Sequence, residues 1–471
     1  MERLMQFIWQ HHLWDDRNLR TADGQKVSII HPGILNENAG PDFFNASIEI
    51  NGQRWYGNIE IHVRASDWYR HGHDHDHAYD TVILHVVQTD DAQVFRPDGT
   101  VIPQITVPCS PDDGQRCNAM MQSAASSLPC LGTIRNLPPV YITEWVTALG
   151  LERLYMKSER ILDLVKFSEG DWESAAYITL ARALGFGLNS QPFETLAKNL
   201  PLRFLNRHRD DLLTMEALIF GQAGLIPAER SDEDSYITRM RQEFHFMAHK
   251  FSLTPLPLQW KMARTRPQNF PHRRLAFLAQ RIHKGFSLIG ALDDIVMTQR
   301  ALREKTLREA ALCYGHCEVA EAPSLPSLDS LRKVFDIPLT GFWATRYTFN
   351  SPAPGITVPG TAAHAAGNPS PRVLSRSSID RLLINVVIPL LLARATARGD
   401  VDTMADIPEL LHGIGAEDNR DVRLFASAGI TARDAFDTQA LIQLRREYCE
   451  QTKCIYCRFG RAMFSSLLSR R

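Results

Sequence analysis

The chain has 471 residues, a formal charge of −1 and eight cysteines, with 44% hydrophobic and 22% charged residues. That length exceeds one ordinary core, and that composition excludes wholesale disorder, so two or more packed domains are expected. Near-neutral charge weighs against nonspecific coating of long nucleic acid. No apolar run approaches the roughly 20 residues that span a bilayer, so no membrane partner is expected.

Met1 to His12 reads as an amphipathic helix, with neither the apolar region nor the cleavage site of a signal peptide. Without an export signal, the cysteines read as reduced thiols or metal ligands in a cytoplasmic protein rather than as a disulfide framework. Strands are then expected at Val27–Ile30 and Phe44–Ile50. Asn51-Gly52 is a strong hairpin turn, and Arg54–Val63 is the returning strand. A short polar segment leads to Thr81–Val87, a β-branched run of the buried kind. Val94-Phe95 and Val101-Ile102 around Pro97-Asp98-Gly99 predict one more hairpin.

From about Pro138 the apolar period becomes helical. Helices are expected around Ile142–Leu149 and Ile161–Val165, then over Asp210–Phe220, Ser231–Lys250, Arg273–His283, Ile379–Ala395 and Thr431–Tyr448. Gly341–Asn350 is extended in character, and Ser351–Pro371, rich in Pro, Gly and Ala, reads as a flexible insertion. The fold class is therefore α+β. A mixed α/β domain occupies residues 1–110, a linker 111–137, and a mostly helical domain with a cysteine-rich end 138–471.

Three residues of the first domain stand out as catalytic candidates: Asp42 before the hairpin, and Glu60 and His62 in its second arm. Strand side chains alternate, so Glu60 and His62 share a side about 7 Å apart, and Asp42 enters on the neighbouring strand. Two carboxylates beside a basic group suit Mg²⁺ or Mn²⁺, which activates water against a phosphodiester. The run Asp67–His77 alternates histidine and acid; imidazoles suit Zn²⁺, which offers a histidine-based hydrolase as a further reading, but a solvated polar loop is the expected state. His77 and His85 are accessory candidates, with His85 set in an apolar strand.

Cys449, Cys454 and Cys457 have metal-type spacing, and Cys130 is the candidate fourth ligand for zinc or an iron–sulfur cluster. Cys313 and Cys317, like Cys109 and Cys117, are taken as incidental. The most basic run, Trp260–Arg274, offers Arg264, Arg266, Arg273 and Arg274 to nucleic-acid phosphates. Oligomeric state leaves no signal in the sequence.

At Pro41-Asp42 and Glu60-Ile61-His62 the chain resembles the PD-(D/E)XK nuclease superfamily, which has Pro-Asp and Glu-x-Lys there and a similar order of helix, strand, hairpin, helix and strand. The resemblance implies a restriction-endonuclease-like core over about residues 1–88 and metal-dependent nuclease activity, with a non-catalytic nucleic-acid- or protein-binding scaffold as the alternative. His62 stands in place of the lysine. The cysteines are similar to those of nucleases clamped by an iron–sulfur cluster, although the lone cysteine there precedes the nuclease core and Cys130 follows it. Over nearly its full length the chain also resembles an uncharacterised bacterial family with a domain of unknown function. Asn38–Ala46, Gly57–His62, Ser66–Val87, Phe220–Gly224, Arg266–Pro271 and the cysteine-rich end carry that likeness.

Overall fold

A computed structural model describes residues 2–10, 19–36, 39–107, 119, 128–229, 234–263, 265–312, 325–350 and 373–468. The expected insertion at 351–371 apart, Arg264, Cys109, Cys117, Cys313, Cys317 and most of the 111–137 segment also lie outside the described residues. Two compact units divide the chain. A sheet unit takes Met1–Val146, Asn419–Thr431 and Leu441–Arg471, and a helical unit takes Thr147–Asp418 and Ala432–Ala440.

In the sheet unit, helix α1 (Glu2–Gln10) buries Leu4, Met5, Phe7, Ile8 and Trp9. Six strands follow: β1 (Val27–His31), β2 (Ile34–Leu35), β3 (Phe43–Ile50), β4 (Gln53–Arg64), β5 (Val82–Thr89) and β6 (Gln104–Thr106). They make one mixed sheet in the order β1-β3-β4-β5-β6, with β2 beside β3. β1, β2 and β4 run antiparallel to β3, whereas β4–β5 and β5–β6 are parallel. The expected turn closes β3 onto β4 with both central residues left-handed, Asn51 at φ 49° and Gly52 at φ 82°. That is the twist a two-residue hairpin favours.

β3 carries one extra residue. Phe43 pairs with Ile59 and Ala46 with Gly57, so three steps on β3 oppose two on β4, and Asn45 takes a φ of 56°. This bulge resets the alternation of sides. Phe43, Ala46, Ile48 and Ile50 are all buried on the side of Ile59 and Ile61. Asp42, one residue before Phe43, therefore falls on the side of Glu60 and His62. An unbulged strand would put it with Ile48.

Between β4 and β5 the chain is more structured than a solvated loop. Helix α2 (Asp67–Arg70) and single 3₁₀ turns at His73–His75 and His77–Tyr79 bury Asp67, Trp68, His73 and Tyr79. Trp68 and Tyr79 pack with Ala65, Val82, Val87, Val94 and Ile102 in one apolar cluster. The hairpin expected at 94–102 reduces to a single bridge, Phe95 to Val101, over a tight turn. β6, which the sequence did not announce, takes the edge beside β5 instead. Near the end of the unit, a wide i→i+5 turn at Leu444–Cys449 leads to a 3₁₀ turn at Cys454–Tyr456 and the helix Arg458–Leu468.

The helical unit realises the expected periods as Leu212–Gln222, Ser235–Phe251, Pro271–His283 and, with a wide turn at Leu383–Val387, Arg376–Arg398. That turn sits where Pro389 cannot donate to the ladder. Trp172–Leu184, Ser190–Asn199 and Leu288–Leu312 add further helices. Gly341–Asn350 is not the extended segment its alternating aromatics suggest. Gly341–Ala344 is a 3₁₀ turn that buries Trp343 completely, stacked on Phe220 at 4.7 Å. Among the described residues no helix is long and apolar enough to cross a membrane.

Candidate functional site

A row of polar side chains crosses the middle of the sheet. Glu60 and His62 stand two apart on β4 and share a side. Across the parallel ladders Glu60 pairs with His85 on β5, and His85 with Gln104 on β6. Glu60, His62, His85 and Gln104 are 5%, 0%, 0% and 5% exposed, so water does not solvate them. Polar groups this deep need partners; His62, His85 and Gln104 bond along the row, and Glu60 accepts from the Asp42 N–H.

The bulge brings Asp42 to the same side. Its backbone N–H donates to Glu60 Oε2 at 2.9 Å, and Ile61 N–H donates to Asp42 Oδ2 at 3.0 Å. Gln6 Nε2, from α1, donates to Asp42 Oδ1 at 2.8 Å. Two strands are thus tied together by the side chains whose acidity matters most. Burial first, then the Glu60 charge, pushes the Asp42 carboxyl up to about 8. Burial likewise pushes Glu60 up to about 8, against the hydrogen bond from Asp42. Two such carboxyls cannot both ionise without compensation.

The imidazoles continue the row. His62 Nδ1 meets His85 Nε2 at 2.8 Å, and His85 Nδ1 meets Gln104 Oε1 at 2.9 Å. The segment after α2 then folds two more rings onto His62. His71 Nδ1 lies 3.1 Å from His62 Nε2, and His73 stacks on His62 with ring centroids 5.2 Å apart. Glu60 Oε1 is 3.6 Å from His62 Nε2 and 3.4 Å from His73 Nε2. Gly72 at φ 75° makes the turn between His71 and His73. His71 is exposed while His62 and His73 are buried, so the cluster reaches the surface at one ring.

His62 is not the partly charged group that its ordinary value of about 6.5 implies. Burial, then the charges of His85, His73 and His71, pushes it down to about 2. Burial pushes His85 down to about 4 and also lowers His73. At neutral pH these rings present lone pairs rather than positive charge.

The other candidates distribute as follows. His77 is 87% exposed and pairs with Asp80 at 3.0 Å, apart from the cluster. Cys130, Cys449, Cys454 and Cys457 are all buried free thiols. Burial, then the facing Cys457 and Cys454, pushes Cys130 up to about 12. Cys449 is raised in the same way, with Cys457, Cys130 and Cys454 as its neighbours. Arg266 is exposed. Arg273 and Arg274 are 0% and 1% exposed. Arg273 donates to the carbonyls of Trp343 and Arg346, and Arg274 to Asn269 Oδ1 from over the Phe186 ring. Neither is presented to solvent as a phosphate contact would be.

The sequence signal for His71 and His73 lay in the histidine-acid run; what it lacked was the turn that folds them onto β4. Gln104 had no signal, because its strand was not legible. A family model described as a protein of unknown function (DUF2851) matches residues 2–420. No curated protein and no solved structure matches the chain.

Proposed function

The chain belongs to the DUF2851 family, and from that premise we propose that its sheet unit is a restriction-endonuclease-like core that cleaves nucleic-acid phosphodiesters with a divalent metal. The observation that carries the reading is the coupled pair Asp42 and Glu60, held together because Glu60 accepts from the Asp42 N–H and Asp42 accepts from the N–H of Ile61, the neighbour of Glu60. The order of helix, strand, hairpin, helix and parallel strand supports it, as in the PD-(D/E)XK nucleases that this region resembles.

The residues fit a hard divalent cation. Both carboxyls are raised to about 8 by burial, and a cation between them is what would let both ionise near neutral pH. Asp42 and Glu60 would hold Mg²⁺ or Mn²⁺, which when bound makes water a nucleophile and offsets phosphate charge. Gln6 and the Ile61 N–H fix the Asp42 carboxyl, so little reorganises when substrate arrives. His62 is uncharged, so it replaces the positive charge of the usual lysine with a lone pair and serves to orient rather than to neutralise phosphate.

The test is cleavage of single- and double-stranded DNA and RNA with Mn²⁺ or EDTA. Asp42→Asn/Glu60→Gln keeps acceptors for the backbone donors and should lower the rate at least about 1000-fold while the protein stays folded. Equal cutting by the variant sinks the assignment. Absence of cutting by folded wild-type protein moves it to the non-catalytic scaffold.

The same reading gives the four cysteines a structural metal. A single zinc ion needs sulfurs about 3.8 Å apart. Among the described residues, the ligand group whose atoms all lie within 4.8 Å of one another is His62, His71 and His73, and the sulfurs do not form such a group. We take an iron–sulfur cluster over a single ion, as in the cluster-clamped nucleases that these cysteines resemble. Anaerobically purified protein should contain iron and acid-labile sulfide; zinc alone would reverse the choice, and neither would remove it.

A further inference from the structure

His62, His71 and His73 each place one ring nitrogen within 4.8 Å of the other two. Glu60 Oε1 lies 3.6 Å and 3.4 Å from the Nε2 atoms of His62 and His73. The mutual hydrogen bonds of these rings do not use all of their ring nitrogens. His73 Nδ1 is buried without a hydrogen-bond partner, and His62 Nε2 faces both a carboxylate oxygen and another ring nitrogen.

The hydrogen bonds behind His62 assign its tautomer. Gln104 Nε2 is committed to Asp90 Oδ1 at 2.5 Å and Ala92 O at 3.4 Å, so Gln104 Oε1 is an acceptor. His85 must then carry its proton on Nδ1 and accept at Nε2. His62 donates from Nδ1 to His85, which leaves the Nε2 lone pair directed at Glu60 and His71. A carboxylate, an amide and a second imidazole thus orient one ring from behind, as outer partners do for metal-bound histidines.

We infer that His62, His71 and His73, with Glu60 Oε1, form a binding site for a nitrogen-preferring divalent transition-metal ion of the Zn²⁺ class. Three imidazoles and one carboxylate oxygen match the coordination number and ligand softness of such an ion, and not of Mg²⁺, which takes oxygen ligands. The inference deepens the phosphodiesterase reading through the shared Glu60, whose Oε2 accepts from Asp42 N–H while Oε1 faces the rings. It does not depend on cleavage. His71 is the exposed ligand and the entry point for the ion.

The experiment titrates EDTA-stripped full-length protein with Co²⁺, read by its visible absorption, and with Zn²⁺ in competition, without nucleic acid. One histidine-dependent ion per chain is expected beyond whatever the four cysteines hold, with the absorption of a four-coordinate site that Mg²⁺ does not displace. His71→Ala and His73→Ala should each weaken binding at least about tenfold, the lower range for disturbing a metal site. His77→Ala should match the wild type. His71 is exposed, so its variant separates lost ligation from lost folding. Wild-type affinity in both His71→Ala and His73→Ala, or ready displacement by Mg²⁺, overturns the inference. Histidine-dependent cobalt binding without cleavage leaves it standing while the phosphodiesterase reading fails. Mg²⁺-supported cleavage by protein that shows no histidine-dependent cobalt binding does the reverse.

Discussion

The sheet unit and the helical unit both bury polar groups, but they treat them differently. At three places in the helical unit unlike groups meet. Glu173 caps the helix Leu288–Leu312 by accepting from the backbone N–H groups of Leu288, Ile289 and Gly290. Glu194 faces Arg160, Arg182 and Lys198; against the desolvation that raises it, these hold its carboxyl down at about 2. Trp343 donates to Tyr236, and Tyr236 in turn donates to Glu216 at 2.6 Å. In the sheet unit like meets like, carboxyl beside carboxyl and imidazole beside imidazole. The first arrangement completes itself. The second leaves like groups facing one another with shifted acidities, a pattern that gathers at functional sites.

The largest effect that separates the two is the pH response of the sheet unit in EDTA. Folded Asp42 and Glu60 keep their protons up to about 8, whereas unfolded carboxyls lose them near 4. The folded state therefore binds more protons, and stability must fall as pH rises through this range. The buried histidines oppose this only below about 6.5, where the unfolded rings protonate. Between pH 6.5 and 8 the carboxyls act alone and should remove about 2–4 kcal/mol. Hydrogen exchange at the Ile61 amide reads this locally. Asp42→Asn/Glu60→Gln should flatten the slope, and saturating Mn²⁺ should abolish it. A slope of the same size in the double variant would break the comparison.

A smaller effect sharpens it from the other side. Tyr236→Phe leaves Trp343 and Glu216 without their shared partner and should cost about 1–3 kcal/mol, read as a lower denaturant midpoint. Asp42→Asn in the same assay at neutral pH should be neutral or stabilising, because it removes the cost of protonating a buried carboxyl on folding. If both substitutions destabilise alike, the sheet site is structural and not functional.

How much of this was legible follows from the range of each interaction. Asn51-Gly52 fixed the hairpin locally, and alternation put Glu60 and His62 on one side without any fold knowledge. The bulge at Phe44-Asn45 was invisible, because it is defined by the partner strand and not by its own sequence. β6 was hidden by its length, three residues that begin with a buried Gln104. The histidine run looked solvated by composition, yet Trp68 and Tyr79 within it anchor the segment to the sheet and bring His71 and His73 to β4. At Gly341–Asn350 the alternating aromatics mimic a strand, but burying Trp343 against Phe220 outweighs that period. The grouping of Cys130 with Cys449, Cys454 and Cys457 could be guessed only from chemistry, since over 300 positions separate them in the chain.

The surplus residue in β3 gives the site an unusual evolutionary grammar. Most active sites are lost by substitution, one side chain at a time. Here removing a single codon at Asn45 would leave every ligand in the gene and every strand in the sheet, yet return Asp42 to the greasy side beside Ile48. Descendants of such a deletion would keep the sequence motif and lose the convergence of Asp42 with Glu60. Homologues should therefore be sorted by the length of the span between Asp42 and Asn51 before they are sorted by identity.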